Sequence, residues 1–512
     1  MNQMLKSALS VLITVSVIKA GFIPSVRVDR ENRPNYGCFH AAITLGPGSA
    51  GSQPVYVVIQ DDSMAGMVTK RSDIIFQRST DQGRTWLEDN ILIRRGNVFT
   101  CYPDIVTDAA GSIYVVYTEG IDNLHSHLYC VRSTDNGNSW SSPVIIDDNP
   151  GPVPIGWARL AVDSAGNLFA AWNGNHNGRM AIWSSVSTDH GSTWLPSVRV
   201  DDDTVPGSCF HTDVAIQPGT NHYFVVASAP YWSGPGQISY HSYCYRSTDL
   251  GRSFQPGFQL DTFDGYCAQP HIVADSRHII CDYTGSTRLQ GNRSITESRT
   301  LYTLPDTWAQ PVPVTYLDPD HVSEYNGNKL AISPDGRVHI ALMIFDLISM
   351  QDGIFYASSN DYGASWSVRE RVNEDSINNQ SDPDIAVDAN GCAYIVWQDG
   401  RNNRQEIWFS TNSVVGAEEK NTPEVTIRRL ITSPSVFSSV TEIRIPEDIV
   451  SNSCLPISIY DAAGGLVRTL LPRSNRIYVW DGCNNSGIRC LPGVYIIRAQ
   501  QANGKVLYQP ER

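Results

Sequence analysis

The sequence predicts an all-β chain: a β-propeller of seven blades, with six as the alternative, followed by a small β-sandwich. Three observations carry the prediction. The composition is short of helix formers, one turn motif returns at a near-constant interval, and the N-terminal segment repeats the letters of an internal strand. The 512 residues are 41% hydrophobic and 10% aromatic, with 39 Gly and 29 Pro, which suits many short strands and tight turns better than helices. A chain of this length exceeds one ordinary domain.

The motif reads Ser79-Thr-Asp81-Gln-Gly83-Arg-Thr-Trp86 and returns around Asp135, Asp189, Asp249 and Asp361. Successive Asp positions differ by 54, 54, 60 and 112 residues, the last interval holding a worn copy that ends at Trp308. Two short strands precede the motif, as at 104–108 and 113–117 or at 384–388 and 393–397. A third strand enters it and a fourth leaves it, as at 144–146 and 198–200. Four antiparallel strands of this size make one propeller blade. The seventh repeat stops at Ser410-Thr-Asn412, before its fourth strand. Pro24-Ser-Val-Arg-Val-Asp29 has the letters of Pro196-Ser-Val-Arg-Val-Asp201, so the N-terminal segment is expected to complete the last blade and remove an open sheet edge. The propeller is assigned to residues 21–415.

Before it, Lys6, the apolar run 7–18 and Lys19-Ala20 predict a secretory signal peptide over residues 1–20. No later run is apolar over the roughly 18 residues that a membrane helix needs. Export leads to an oxidising compartment, where the 11 Cys can pair, although an odd number leaves one over. Cys483 and Cys490 are expected to form a local disulfide. Cys130 and Cys244 share a repeat position and read as packing residues. No Cys-x-x-Cys or clustered His at ligand spacing appears, so neither a metal nor another cofactor is predicted. Asp201-Asp202-Asp203 reads as a solvated acidic turn rather than a calcium site.

After a charged, periodless linker over 416–433, residues 434–512 show short alternating strands at 441–446, 457–461, 476–481 and 493–498, the pattern of a small sandwich.

Inner strands line a propeller's channel, so residues aligned on their apolar triplets share a level around the axis. One row comes out as His40, Asp104, Arg159, Asp213, His271, Lys329 and Asp384. The preceding rows hold Tyr102, Trp157, His211, Gln269 and Asp382. Convergent aromatic and charged groups are the usual make-up of a polar ligand site. Asp104, Asp213 and Asp384 are the candidate catalytic carboxylates, since a glycosidase needs two of them about 5–5.5 Å or 6.5–9.5 Å apart. A net charge of −14 argues against binding nucleic acid.

The repeated motif resembles the Asp boxes of the sialidase and bacterial-neuraminidase-repeat superfamily of β-propellers, over residues 21–415. The resemblance implies structural roles for Asp81, Asp135, Asp189, Asp249 and Asp361 at the periphery. In that family three arginines hold the substrate carboxylate, a glutamate activates a tyrosine nucleophile and an aspartate is the acid/base. Here only Arg159 falls in the axial row, and the first-blade Arg-Ile-Pro signature is replaced by Cys38-Phe-His-Ala-Ala-Ile43. Glu324 and Tyr325 are the implied activating and nucleophilic pair, at an offset longer than the family pattern. The C-terminal string around Tyr460-Asp461, Gly464, Trp480-Asp-Gly482 and Pro492-Gly-Val-Tyr495 resembles the Ig-like domain of flagellar hook-capping proteins and type IX secretion sorting domains. It implies passage through bacterial export machinery and display at the cell surface. The expectation is an exported propeller that binds glycan or surface protein at its funnel face without complete sialidase chemistry. The alternative is an exo-α-sialidase or related glycoside hydrolase.

Overall fold

The computed structural model describes residues 21–413 and 431–508, apart from inter-strand segments of which 445–456 is the longest. Residues 1–20, the expected signal segment, lie outside the described residues. The chain divides into two compact units, 1–415 and 416–512. Among the described residues every regular element is a strand.

The first unit is built of seven sheets of four or five strands, so the six-blade alternative does not hold. Blade 1 runs through Tyr36–Leu45, Val55–Ser63, Ser72–Ser79 and Ile91–Arg95. The following blades begin at Thr100–Thr107, Gly156–Val162, Phe210–Ile216, Cys267–Ala274, Lys329–Ile332 and Gln380–Val387. These first strands touch one another in cyclic order, the seventh against the first. Blade 7 takes its outer strand from the N-terminal segment: Val26–Arg27 lies antiparallel to Glu406–Thr411, with Val26 opposite Phe409 and Arg27 opposite Trp408.

The shared Val-Arg-Val-Asp letters encode one lock used twice. Asp29 Oδ2 accepts the Ile407 amide at 2.8 Å and pairs with Arg27 Nη2 at 2.6 Å through its other oxygen. Asp201 accepts the Ile182 amide at 2.7 Å and pairs with Arg199 at 2.8 Å. Asp201 is therefore a buried cap that joins the third and fourth strands, not the solvated turn expected from three adjacent acids. Asp202 and Asp203 lie outside the described residues.

The core is divided among the junctions between blades. In blade 2, residues 113–117 are all 0% exposed, because alternate side chains enter opposite junctions. Val115 packs with Val58 and Phe76 of blade 1, whereas Val116 packs with Leu160 and Ala170 of blade 3. Burial on both faces explains why the middle strands are continuous apolar runs, each such side chain contributing roughly 1.5–3 kcal/mol.

The repeated motif forms the turn between third and fourth strands. Ser79 Oγ donates to Asp81 Oδ1 at 2.7 Å and accepts the Gly83 amide at 2.8 Å, while Asp81 accepts the Thr85 amide and hydroxyl at 2.8 and 2.7 Å. The same bonds recur around Asp135, Asp189, Asp249 and Asp361. Hydrogen bonds from Ser139 and Ser133 hold the Asp135 carboxyl down at about 2. Gly83 has φ +85°, and a Cβ there would lie 2.0 Å from the Phe409 ring of blade 7. The turn is thus wedged onto the preceding blade, and only glycine fits.

The second unit has a three-stranded sheet, Ile431–Ser433, Thr441–Arg444 and Ile477–Trp480, and a five-stranded one that includes Ile457–Tyr460 and Gly493–Ala499. Its core draws Ile443, Tyr478 and Trp480 from the first sheet and Ile457, Ile459, Tyr495 and Ile497 from the second. Residues 431–433 are thus a paired strand, inside the stretch that reads as linker. Cys483 and Cys490 are free thiols rather than the expected disulfide. Cys483 stands opposite Arg489 in an isolated bridge, so the neighbouring Cys490 belongs to the other face and packs against the core. Cys130 and Cys244 are packing residues, 2% and 4% exposed.

Candidate functional site

The axial site depends on a backbone irregularity at one place in six of the seven inner strands. In blade 2, Cys101 faces Thr118 and Asp104 faces Val116, so Tyr102 and Pro103 share one opposing residue. This is a β-bulge. It recurs at His40, Trp157, His211, Gln269 and Asp382. The first bulge residue takes a left-handed conformation in each case, with φ of +44°, +54°, +44°, +52°, +54° and +46° for His40, Tyr102, Trp157, His211, Gln269 and Asp382. Such conformations cost about 1–3 kcal/mol each and collect at functional sites.

The bulge corrects one assignment. His40 belongs to the row of Tyr102 and Trp157, and Ala42 occupies the place equivalent to Asp104. The triplet Ala41-Ala42-Ile43 admits two alignments, and only the bulge selects between them. A sequence signal for it exists: in blades 2, 5 and 7 the second bulge residue is Pro103, Pro270 or Pro383, where a missing N–H is tolerated.

Apart from Asp213, which is not among the residues that line it, the two rows line one cavity of about 130 Å³. His40, Tyr102, Trp157, Arg159, His211, Gln269, His271, Lys329 and Asp382 all face it, as do Asp104 and Asp384. The bulge row makes an unbroken aromatic wall, with ring centroids 5.0 Å apart for His40 and Tyr102, 5.4 Å for Tyr102 and Trp157, and 5.1 Å for Trp157 and His211. Asp382 lies 3.8 Å from His40 and accepts from Gln398 Nε2.

In the second row each carboxylate clips the next blade. Asp384 Oδ2 accepts the Ile43 amide at 2.8 Å, Asp104 Oδ2 the Leu160 amide at 2.8 Å, and Asp213 Oδ2 the Ile272 amide at 3.3 Å. Asp213 Oδ1 also meets Lys329 Nζ at 3.3 Å and Arg159 Nε at 4.0 Å. Burial raises the Asp104 and Asp384 carboxyls above the ordinary range despite Arg159 and Lys329. Burial alone would raise Asp213 too, but Lys329, His271 and Arg159 outweigh it and leave Asp213 below that range.

Burial also lowers His40, and burial together with His271 and Arg159 lowers His211 to about 4. As the pH falls from the ordinary imidazole value, about 6.5, towards 4, the unfolded chain takes up a proton that folded His211 refuses. Stability contributed by the neutral ring is lost across that window, by about 2–3 kcal/mol. Asp104 and Asp384 act in the opposite sense near pH 4, so the difference between wild type and His211→Phe isolates the imidazole. Thermal midpoints are expected to fall more steeply for wild type between pH 6.5 and 4; parallel curves would refute the assignment.

Arg159 is the single guanidinium among the described residues lining the cavity. Glu324 lies in a short strand, Ser323–Glu324; its side chain and all of Tyr325 fall outside the described residues. Among the described residues no group of three His, Cys, Asp or Glu is placed to hold a metal ion. Asp81, Asp135, Asp189, Asp249 and Asp361 stay in their motif turns and do not line the cavity. The structure adds Asn328, whose amide donates to Thr284 and Thr296 at 2.8 and 2.9 Å, and Thr212. Neither belongs to a row that apolar triplets reveal.

No protein-family model matches the chain, and no curated protein is significantly similar to it. Solved structures similar to it include a protein of unknown function from Dyadobacter fermentans, at 13% identity over 77% of this chain and 99% of that one, with a TM-score of 0.47. The α-L-arabinanase of Penicillium chrysogenum complexed with arabinobiose is similar at 14% identity over 76% of this chain and 98% of that one, TM-score 0.43. A Hadza microbial sialidase is similar at 12% identity, 77% and 93% coverage, TM-score 0.40.

Proposed function

We propose that the seven-bladed unit binds the terminal unit of a neutral glycan in its axial cavity. The observation that carries this reading is the aromatic wall of His40, Tyr102, Trp157 and His211 set beside the charged second row in one cavity. A sugar ring has an apolar C–H face that packs on aromatic rings and a rim of hydroxyls that seeks carboxylates, amides and imidazoles. At about 130 Å³ the space is near the roughly 150 Å³ that accommodates one benzene ring, so it admits part of one terminal sugar unit and no longer stretch of glycan. An acidic sugar is disfavoured, since Lys329 is paired with Asp213 at 3.3 Å and Arg159 is the single guanidinium among the described lining residues, short of the several bidentate donors that best hold a carboxylate.

A second reading, a glycoside hydrolase, draws on the opposed carboxyls. Asp104 and Asp384 are raised and Asp213 is lowered, the separation by which an acid and an ionised partner are told apart. The signal segment and the C-terminal unit suggest in addition that the protein is exported and held at a bacterial surface, the second unit engaging the export machinery.

The test is a glycan array on the full chain together with chromogenic glycosides, a sialoside among them. Retention of a neutral terminal sugar, reduced about 10-fold or more by Trp157→Ala and without release of sialic acid, is the expected result. Sugar release lost in both Asp104→Asn and Asp384→Asn would favour the hydrolase. Failure to retain any glycan would refute the binding reading.

A further inference from the structure

The seven blades serve as internal controls for one another. The second-strand residue opposite the axial row is Val58, Val116, Val226 and Val396 in blades 1, 2, 4 and 7, and Ala171 and Ala341 in blades 3 and 6. In blade 5 it is Asp282, opposite His271. All seven positions are 0% exposed. The fold therefore has an apolar solution for this place and departs from it once.

The departure is chemically demanding. Neither Asp282 oxygen has a hydrogen-bond partner among the described residues, and burying a carboxylate without donors is strongly unfavourable. Its nearest basic neighbour is the imidazole that faces the cavity: His271 Nδ1 lies 3.4 Å from Asp282 Oδ1. Behind the other polar members of the row stands an aliphatic side chain, so His271 alone has an acid at its back.

We propose that Asp282 is a positioning residue that holds His271 with its proton on Nδ1, so that Nε2 is offered to the cavity as an acceptor for a ligand hydroxyl. An ionised carboxylate only accepts, so the nitrogen turned to it must be the donor, and the remaining nitrogen keeps its lone pair. Lys329 and Arg159 only donate, while Asp104, Asp382 and Asp384 supply carboxylate acceptors to the same cavity; Nε2 adds a neutral acceptor to theirs. His271 Nδ1 makes no hydrogen bond among the described residues either, so its 3.4 Å approach to Asp282 is the contact that a hydroxyl on Nε2 would draw into one. The identity of the hydroxyl donor rests on the glycan reading above; the tautomer does not.

The experiment uses the full chain with 15N-labelled histidine, His271 being assigned by its loss in His271→Gln. Wild type is expected to show His271 with a protonated Nδ1 and an unprotonated Nε2. Asp282→Val, which installs the residue of four other blades, is expected to keep or raise the thermal midpoint. It should also abolish the single tautomer and weaken by about 10-fold the binding of whichever array glycan wild type retains. Asp282→Ala, the residue of blades 3 and 6, supplies the same readings if the valine variant does not fold. An unchanged His271 tautomer in the variant overturns the proposal, as does a lowered midpoint with tautomer and binding intact. If wild type retains no glycan, the function reading falls while the nitrogen shifts still decide the role of Asp282.

Discussion

Asp29→Ala is expected to lower the thermal midpoint of the propeller by about 4 °C, and removal of residues 21–30 by considerably more. Asp29 is fully buried and bonds Arg27 Nη2 at 2.6 Å, the Ile407 amide at 2.8 Å and the Glu31 amide at 3.2 Å, with Arg404 4.0 Å away. Breaking one side of such a pair costs about 3–5 kcal/mol. The lower end applies because Arg27 and Arg404 keep 23% and 26% of their side-chain exposure. At about 2.1 cal/mol/K per residue, a unit of this size has an unfolding entropy near 0.8 kcal/mol/K, which converts 3 kcal/mol to about 4 °C. Calorimetry on the full chain checks it. A midpoint unmoved by loss of residues 21–30 would refute the closure of blade 7.

Asp213→Asn is expected to have the largest effect on the cavity. The amide still accepts the Ile272 N–H but leaves Lys329 and Arg159 without their common counter-ion. Both cations then turn towards Asp104 and Asp384, the groups they already pull against burial, and close the space in which a ligand sits. A loss of about 2–3 kcal/mol in binding, roughly 30- to 150-fold, is expected. Stability supplies an independent sign. The folded Asp213 carboxyl lies below its ordinary value, so its contribution is present above about pH 4 and is lost as the pH falls through the folded value. Wild type and variant midpoints should therefore differ at pH 7 and converge in strong acid. A constant difference at every pH would refute the ionised state of Asp213.

Repeats make much of this molecule legible from its letters. The interval between Asp81, Asp135 and Asp189, and the match of residues 24–29 to 196–201, identify blades and closure because each is a local rule applied many times. The axial residues are legible for a related reason: Asp104, Arg159, Asp213 and Lys329 interrupt apolar strands at one place. What escapes depends on backbone path or register. His40 slips by two places because a bulge adds a residue that no letter announces where the second bulge residue is Ala41 rather than proline. Asp282 sits unremarked in Ile279-Ile280-Cys281-Asp282-Tyr283, since its partner is revealed only when His271 is seen opposite. Cys483 and Cys490 are close in sequence, yet their turn assigns them to different faces.

The pairing of Val26 with Phe409 sets the order of events during synthesis. This strand leaves the ribosome ahead of all seven inner strands yet is the last to be seated, because its berth is made only when the seventh blade emerges, at 5–20 residues per second a delay of about 20–80 s. Throughout that interval a nascent chain carries a loose leading strand at one end and, briefly, an unfilled edge at the other. Two copies made side by side can exchange these ends, so overexpression should give strand-swapped dimers that dilute to monomers only by unfolding.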